Sequence, residues 1–165
     1  MDRLILIRHG KTEARATSGE DFDRQLTERG RRDVQLVAEA MIAAGLIPDR
    51  VLVSAAVRTR QTWDAMSPSF PEATLETRPE LYDADARVLL ATGQTPLGRT
   101  VAVIAHNPGL QILALALAGQ ARARIYETRL RAGFATGAAV AFAITEGEVE
   151  ALGLFYPADF GGGPE

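Results

Sequence analysis

Leu4-Ile5-Leu6-Ile7-Arg8-His9-Gly10 is the stretch on which the fold turns. Four consecutive apolar residues, β-branched at Ile5 and Ile7, predict a strand buried on both faces, the pattern of a parallel sheet. Arg8-His9-Gly10 stands where that strand ends. The sequence holds one other histidine, His106, which follows the apolar run Val101 to Ala105 and opens His106-Asn107-Pro108-Gly109. Taken singly, either histidine reads better as a satisfied core or loop residue. In matching contexts, each just past a predicted strand and one beside an arginine, they point into one site.

Working outward, residues 11 to 25 are polar and read as a loop. Thr27 is a good N-cap, and Glu28 adds negative charge to a first helical turn. Val34, Val37, Ala38, Met41 and Ile42 recur at helical spacing, and Gly45 ends that helix. Val51-Leu52-Val53 predicts a second strand, closing at Ser54. Residues 56 to 66 read as a helix stopped by Pro68 and Pro71, residues 74 to 78 as a short strand, and Asp85 to Ala91 as a short helix ending near Gly93. Pro108 suits a first helical turn, and Leu110 to Ala118 continues a helix that Gly119 is expected to close. Residues 122 to 132 carry four arginines and give no clear element. Ala138 to Ile144 and Val149 to Phe155 flank Glu146-Gly147, a plausible hairpin turn. Residues 1–160 form the expected domain, and residues 161–165, beginning Gly161-Gly162-Gly163, the expected disordered tail.

Strands alternating with helices predict a single α/β domain with a mainly parallel sheet. Ligands of such sheets bind beyond the carboxyl ends of the strands. Arg8-His9, Ser54 to Arg58, and His106 all lie just past such ends. Arg8 and Arg58 would bring forked, permanent positive charge that matches a tetrahedral oxyanion. The nearby charge of Arg8 is expected to lower the pKa of His9 and leave a neutral, nucleophilic nitrogen. Histidine forms covalent intermediates with phosphoryl groups. His106 would donate a hydrogen bond to a phosphoryl oxygen, and the helix starting near Pro108 would add a positive dipole end.

Composition narrows the alternatives. Apolar residues make up 47% of the chain and charged residues 24%, as in an ordinary globular protein. A net charge of −3 makes no case for nucleic acid or an anionic membrane as partner. No apolar run is long enough to span a bilayer, and the N-terminus lacks a secretory signal pattern. The absence of cysteine excludes disulfides and thiolate chemistry and fits the cytoplasm. There is no G-x-x-x-x-G-K-[ST] loop, no G-x-G-x-x-G after a strand and no G-x-S-x-G elbow. Two histidines without an obvious carboxylate cluster make a weak zinc site.

The motifs resemble those of the histidine phosphatase superfamily, also called phosphoglycerate mutase-like. Its elements appear in order as Arg8-His9-Gly10-Lys11-Thr12-Glu13, Leu26-Thr27-Glu28-Arg29-Gly30, Ser54-Ala55-Ala56-Val57-Arg58-Thr59-Arg60-Gln61-Thr62 and His106-Asn107-Pro108-Gly109. The resemblance implies a three-layer sandwich with helices flanking the sheet. It implies transient phosphorylation of His9, a phosphate pocket completed by Arg8, Arg58, His106 and Asn107, and no metal or other cofactor. Asp23-Arg24-x-Leu26-Thr27 and His106-Asn107-Pro108 are similar to the small phosphohistidine phosphatase branch. Arg58 and His106 are only 48 positions apart, which leaves little room for the substrate-covering insertion of larger members. Arg15 stands where many mutases and broad phosphatases carry Asn. In larger members a Glu of Leu-x-Glu donates a proton; Leu81-Tyr82-Asp83 makes Asp83 the candidate here, with Glu80 close by. The expected activity is hydrolysis of phosphohistidine on a partner protein. The alternatives are a phosphomonoesterase for sugar or aryl phosphates and, less in keeping with intact His9 and His106, a non-catalytic phosphate-binding module.

Overall fold

In a computed structural model describing residues 2–94 and 98–164, the chain forms strands β1 (Arg3–Arg8), β2 (Arg50–Ser54), β3 (Thr74–Arg78), β4 (Thr100–Ala105), β5 (Ala139–Thr145) and β6 (Glu148–Phe155). Helices are α1 (Glu28–Ala43), α2 (Val57–Met66), α3 (Ala86–Gly93), α4 (Gly109–Gln120) and α5 (Arg124–Ala132). The strands build one sheet in the order β3-β2-β4-β1-β5-β6. The first four strands of that order are parallel, and the β5–β6 hairpin adds two antiparallel strands at one edge.

The apolar runs supply both faces of the sheet, since successive side chains alternate. Leu4 and Leu6 join Leu52, Val101 and Val103 in a core capped by Leu89, Leu110, Leu113 and Leu130 of α3, α4 and α5. Ile5 and Ile7 join Val51, Val53 and Ile104 in a second core, covered by Val34, Val37, Met41, Trp63 and Met66 of α1 and α2. The result is the three-layer α/β sandwich that the resemblance implies.

Register then fixes where the histidines emerge. β1 and β4 are parallel neighbours, with Ile7 opposite Ile104 and Arg8 opposite Ala105. His9 and His106 are the next residues of each strand, so they leave the sheet side by side. β2 flanks β4 with Val53 opposite Ile104, which brings Ser54 to the same edge.

Three local expectations change. Gly119 does not close α4; the helix runs through it to Gln120, and Arg122 takes the left-handed conformation at φ 55° while the Ala123 amide caps the Ala118 carbonyl. The arginine-rich segment with no clear element is α5, an amphipathic helix of about two and a half turns fastened by its single buried residue, Leu130. Gly161 to Pro164 lies against α1: the Gly163 amide donates to Asp33 Oδ1 at 3.1 Å and Arg29 reaches the Pro164 carbonyl. Glu165 falls outside the described residues. The expected hairpin turn forms at Glu146-Gly147, with both residues at positive φ as a tight I′ turn requires.

Candidate active site

The site begins with two glycines that face each other. A Cβ on Gly10 would stand 2.8 Å from the Gly30 carbonyl oxygen, and one on Gly30 would stand 2.2 Å from the Lys11 carbonyl oxygen. The chain leaving β1 therefore crosses directly over the first turn of α1. Thr27 secures that turn by accepting from the Gly30 amide at 3.0 Å, while its own amide donates to the Lys11 carbonyl at 2.9 Å. α2 holds both pieces: Thr62 Oγ1 accepts from the Gly10 amide at 3.0 Å, and Gln61 Oε1 accepts from the Leu26 amide at 2.8 Å. The first three motifs occur together because their small and hydroxyl residues lock one another in place.

His9 is 7% exposed. Its Nδ1 lies 2.9 Å from the Gly10 carbonyl oxygen. A carbonyl only accepts, so Nδ1 carries the proton and Nε2 keeps its lone pair. Burial holds the His9 pKa down at about 3, with smaller contributions from His106, Arg58 and Arg8. The lowering expected from the sequence is present, but its main cause is burial rather than the arginine beside it. His106 packs with its ring centroid 5.5 Å from that of His9, and its Nε2 lies 2.8 Å from Ser54 Oγ. Burial, then Arg58, lowers the His106 pKa to about 4.

Arg58 comes from the first turn of α2 and is buried. Its Nη1 donates to the Asp21 carbonyl oxygen at 2.9 Å and its Nη2 to Asp21 Oδ2 at 3.0 Å. Arg8 Nη1 and Asn107 Nδ2 both donate to the Phe134 carbonyl oxygen, at 2.8 and 3.1 Å. Arg8, His9, Arg58, His106 and Asn107 line one cavity of about 440 Å³, to which Lys11 and Arg24 add two further cations. Four cationic side chains and no carboxylate line it, which suits a multiply charged anion. Among the described residues, no group of three or more histidine or acidic side chains is arranged to hold a metal ion.

The two donor candidates lie elsewhere. Asp83 is exposed and lines a neighbouring cavity of about 240 Å³ that shares His106 and Asn107 with the first. Glu80 is exposed and bonded to Arg78 Nε at 2.6 Å; its own backbone amide and Arg78 hold its carboxyl below the usual range. Asp21 and Tyr82 were invisible as site residues in the sequence, since a carboxylate in a polar loop carries no mark of its partner. Asp21 belongs to a 3₁₀ turn, Asp21–Asp23, and its pKa is lowered to about 2, first by the hydrogen bond from Tyr82 and then by Arg24 and Arg58. Arg24 was legible only as part of the Asp23-Arg24-x-Leu26-Thr27 pattern.

Comparison with known proteins places this geometry. A family model described as histidine phosphatase superfamily, branch 1, matches residues 4–89. A curated relative, an uncharacterised chloroplastic protein of Arabidopsis thaliana, is 31% identical over 129 residues, covering 71% of this chain and 59% of the relative. The chain thus spans about three fifths of that relative's length. Among solved structures, a protein assigned as the phosphohistidine phosphatase SixA of Agrobacterium tumefaciens is 26% identical, with a TM-score of 0.82 over 94% of this chain and 98% of that one. A second SixA assignment, from Nakamurella multipartitia, is also 26% identical, with a TM-score of 0.79 over 94% of this chain and 96% of that one. The chain belongs to branch 1 of the histidine phosphatase superfamily, among its small SixA-like members.

Proposed function

We propose that this phosphatase removes the phosphoryl group from phosphohistidine on a protein, through transient phosphorylation of His9. The observation that carries the substrate choice is the lining of the His9 cavity: it has four cations and no carboxylic acid. An alkyl phosphate needs a proton on its departing oxygen, and general acids supply that step. A phosphoramidate leaves as imidazole and needs far less help. Asp21, the carboxylate paired with two of these cations, Arg58 and Arg24, is also committed to Tyr82 and stays ionised.

In the first step His9 Nε2 bonds to phosphorus while the N–P bond of the substrate breaks, and the electron pair departs with the substrate's imidazole. In the second, water adds to phosphorus, the His9 N–P bond breaks, and inorganic phosphate forms. Arg8, Arg58 and His106 hold the phosphoryl oxygens, and Asn107 borders the same space. Asp83 would assist only substrates whose leaving group extends past His106. The substrate partner is a phosphorylated protein, and the cysteine-free composition fits the cytoplasm.

The test is a comparison of kcat/KM on a phosphohistidine protein, a phosphohistidine peptide, an aryl phosphate and a sugar phosphate, each with the wild type and Asp83→Asn. Phosphohistidine is expected to be preferred, with Asp83→Asn slowing only the sugar phosphate. Equal efficiency on the sugar phosphate, with strong dependence on Asp83 throughout, would favour the small-molecule phosphomonoesterase.

A further inference from the structure

We infer that Asp21 is the positioning residue of this site, aligning Arg58 directly and the His106 side through Tyr82. The inference rests on Arg58 holding the phosphoryl group as proposed above. Arg58 reaches the cavity on a long side chain with many rotamers, and both of its Nη atoms end on Asp21, one on the carbonyl and one on the carboxylate. The same carboxylate oxygen accepts from Tyr82 at 2.7 Å, and the other accepts from Arg24 Nη1 at 3.0 Å. Two of the cavity's four cations, carried by different segments, therefore share one counterion.

Tyr82 extends the arrangement. Its ring lies edge-on to His106 at 5.5 Å and 85°, and Arg58 Cζ sits 5.8 Å from its centroid. Phe22, from the same turn as Asp21, meets the Tyr82 ring edge-on at 5.2 Å. One short turn thus fixes the loop that carries Tyr82 and, through it, one wall of the His106 pocket.

Packing does not explain this use of Asp21. Its side chain is 52% exposed, and a pair so placed contributes little to stability. Its consequence is orientation of buried Arg58, and orientation governs rate: a small misplacement costs on the order of 10-fold to 10²-fold.

The experiment is a double-mutant cycle of Asp21→Ala and Arg58→Ala, assayed with an aryl phosphate so that the outcome does not depend on the phosphohistidine preference. Asp21→Ala is expected to lower kcat on the order of 10-fold or more, with KM and melting temperature near wild type, and in the Arg58→Ala background to cost only the smaller loss that Tyr82→Phe gives alone. Tyr82→Phe should give a smaller loss of the same kind. In NMR spectra the His106 ring should shift in Asp21→Ala, while the His9 ring, tied to the Gly10 carbonyl, should not. If Asp21→Ala fails to fold, Asp21→Asn takes its place in the cycle. Loss in Arg58→Ala without loss in Asp21→Ala, or the same loss in both backgrounds, overturns the inference alone. Full activity in Arg58→Ala overturns the role of Arg58 and the inference with it.

Discussion

His9 and His106 stand with ring centroids 5.5 Å apart because Arg8 and Ala105 are opposite one another in adjacent parallel strands. Two buried imidazoles this close, beside Arg8 and Arg58, disfavour each other's protonation. Both should therefore be neutral at pH 7 and remain so well below the ordinary histidine value of about 6.5. The chain has only these two histidines, so ¹H–¹⁵N imidazole spectra of tag-free protein resolve them without ambiguity. His9 should show a proton on Nδ1 and a bare Nε2. Titration of either ring near pH 6.5 would contradict this.

The same burial makes the fold acid-sensitive. Above pH 6.5 the histidines are neutral in both the folded and the unfolded chain and contribute no pH dependence. Below it the unfolded chain takes up protons that the folded chain refuses, down to about pH 4 for His106 and about pH 3 for His9. Stability should fall in that window by roughly 1.4 kcal/mol per pH unit for each histidine. Urea unfolding across pH 4.5–7.5 measures it, and His9→Gln should remove about half of the slope.

Arg58→Lys should be nearly as damaging as loss of the side chain. An ammonium cannot span the Asp21 carbonyl, the Asp21 carboxylate and a phosphoryl oxygen together. The expected fall in kcat is on the order of 10²–10³. Vanadate should inhibit the wild type competitively, and Arg58→Lys should weaken that inhibition in parallel. Wild-type kinetics in Arg58→Lys would remove Arg58 from the mechanism.

Gly30→Ala tests the contact between the first two motifs. Its Cβ would meet the Lys11 carbonyl oxygen at 2.2 Å, backbone against backbone, so the loop after β1 must move. A loss of about 1–3 kcal/mol is expected, with reduced activity because Gly10 and His9 move with Lys11. Unchanged melting temperature and unchanged kcat would mean that the crossing relaxes freely.

Burial patterns carried most of the fold. β1, β2 and β4 are apolar on both faces, and such runs have few other interpretations in a chain of this length. Thr27 was readable because an N-cap is a local device. α5 was not: of Arg124–Ala132 only Leu130 is buried, so tertiary packing on α4 rather than its own pattern holds it helical. Gly119 misled because a left-handed cap can also be taken by a non-glycine residue, and Arg122 takes it. At the site, the strand ends named Arg8, His9 and His106, whereas Asp21 depends on a loop path across 37 residues to Arg58 that no local pattern encodes.

Trapping the phosphorylated enzyme tests the central claim most directly. Rapid quench of the wild type with a phosphohistidine protein, under conditions that preserve N–P bonds, should give a single phosphorylated residue, His9, with the phosphoryl group on Nε2 by ³¹P and ¹⁵N NMR. The species should form and decay at rates consistent with turnover, and His9→Ala, folded, should retain less than about a tenth of kcat, ~1.4 kcal/mol of barrier. Phosphate on another residue, or turnover near wild type without His9, would contradict the nucleophilic role of His9.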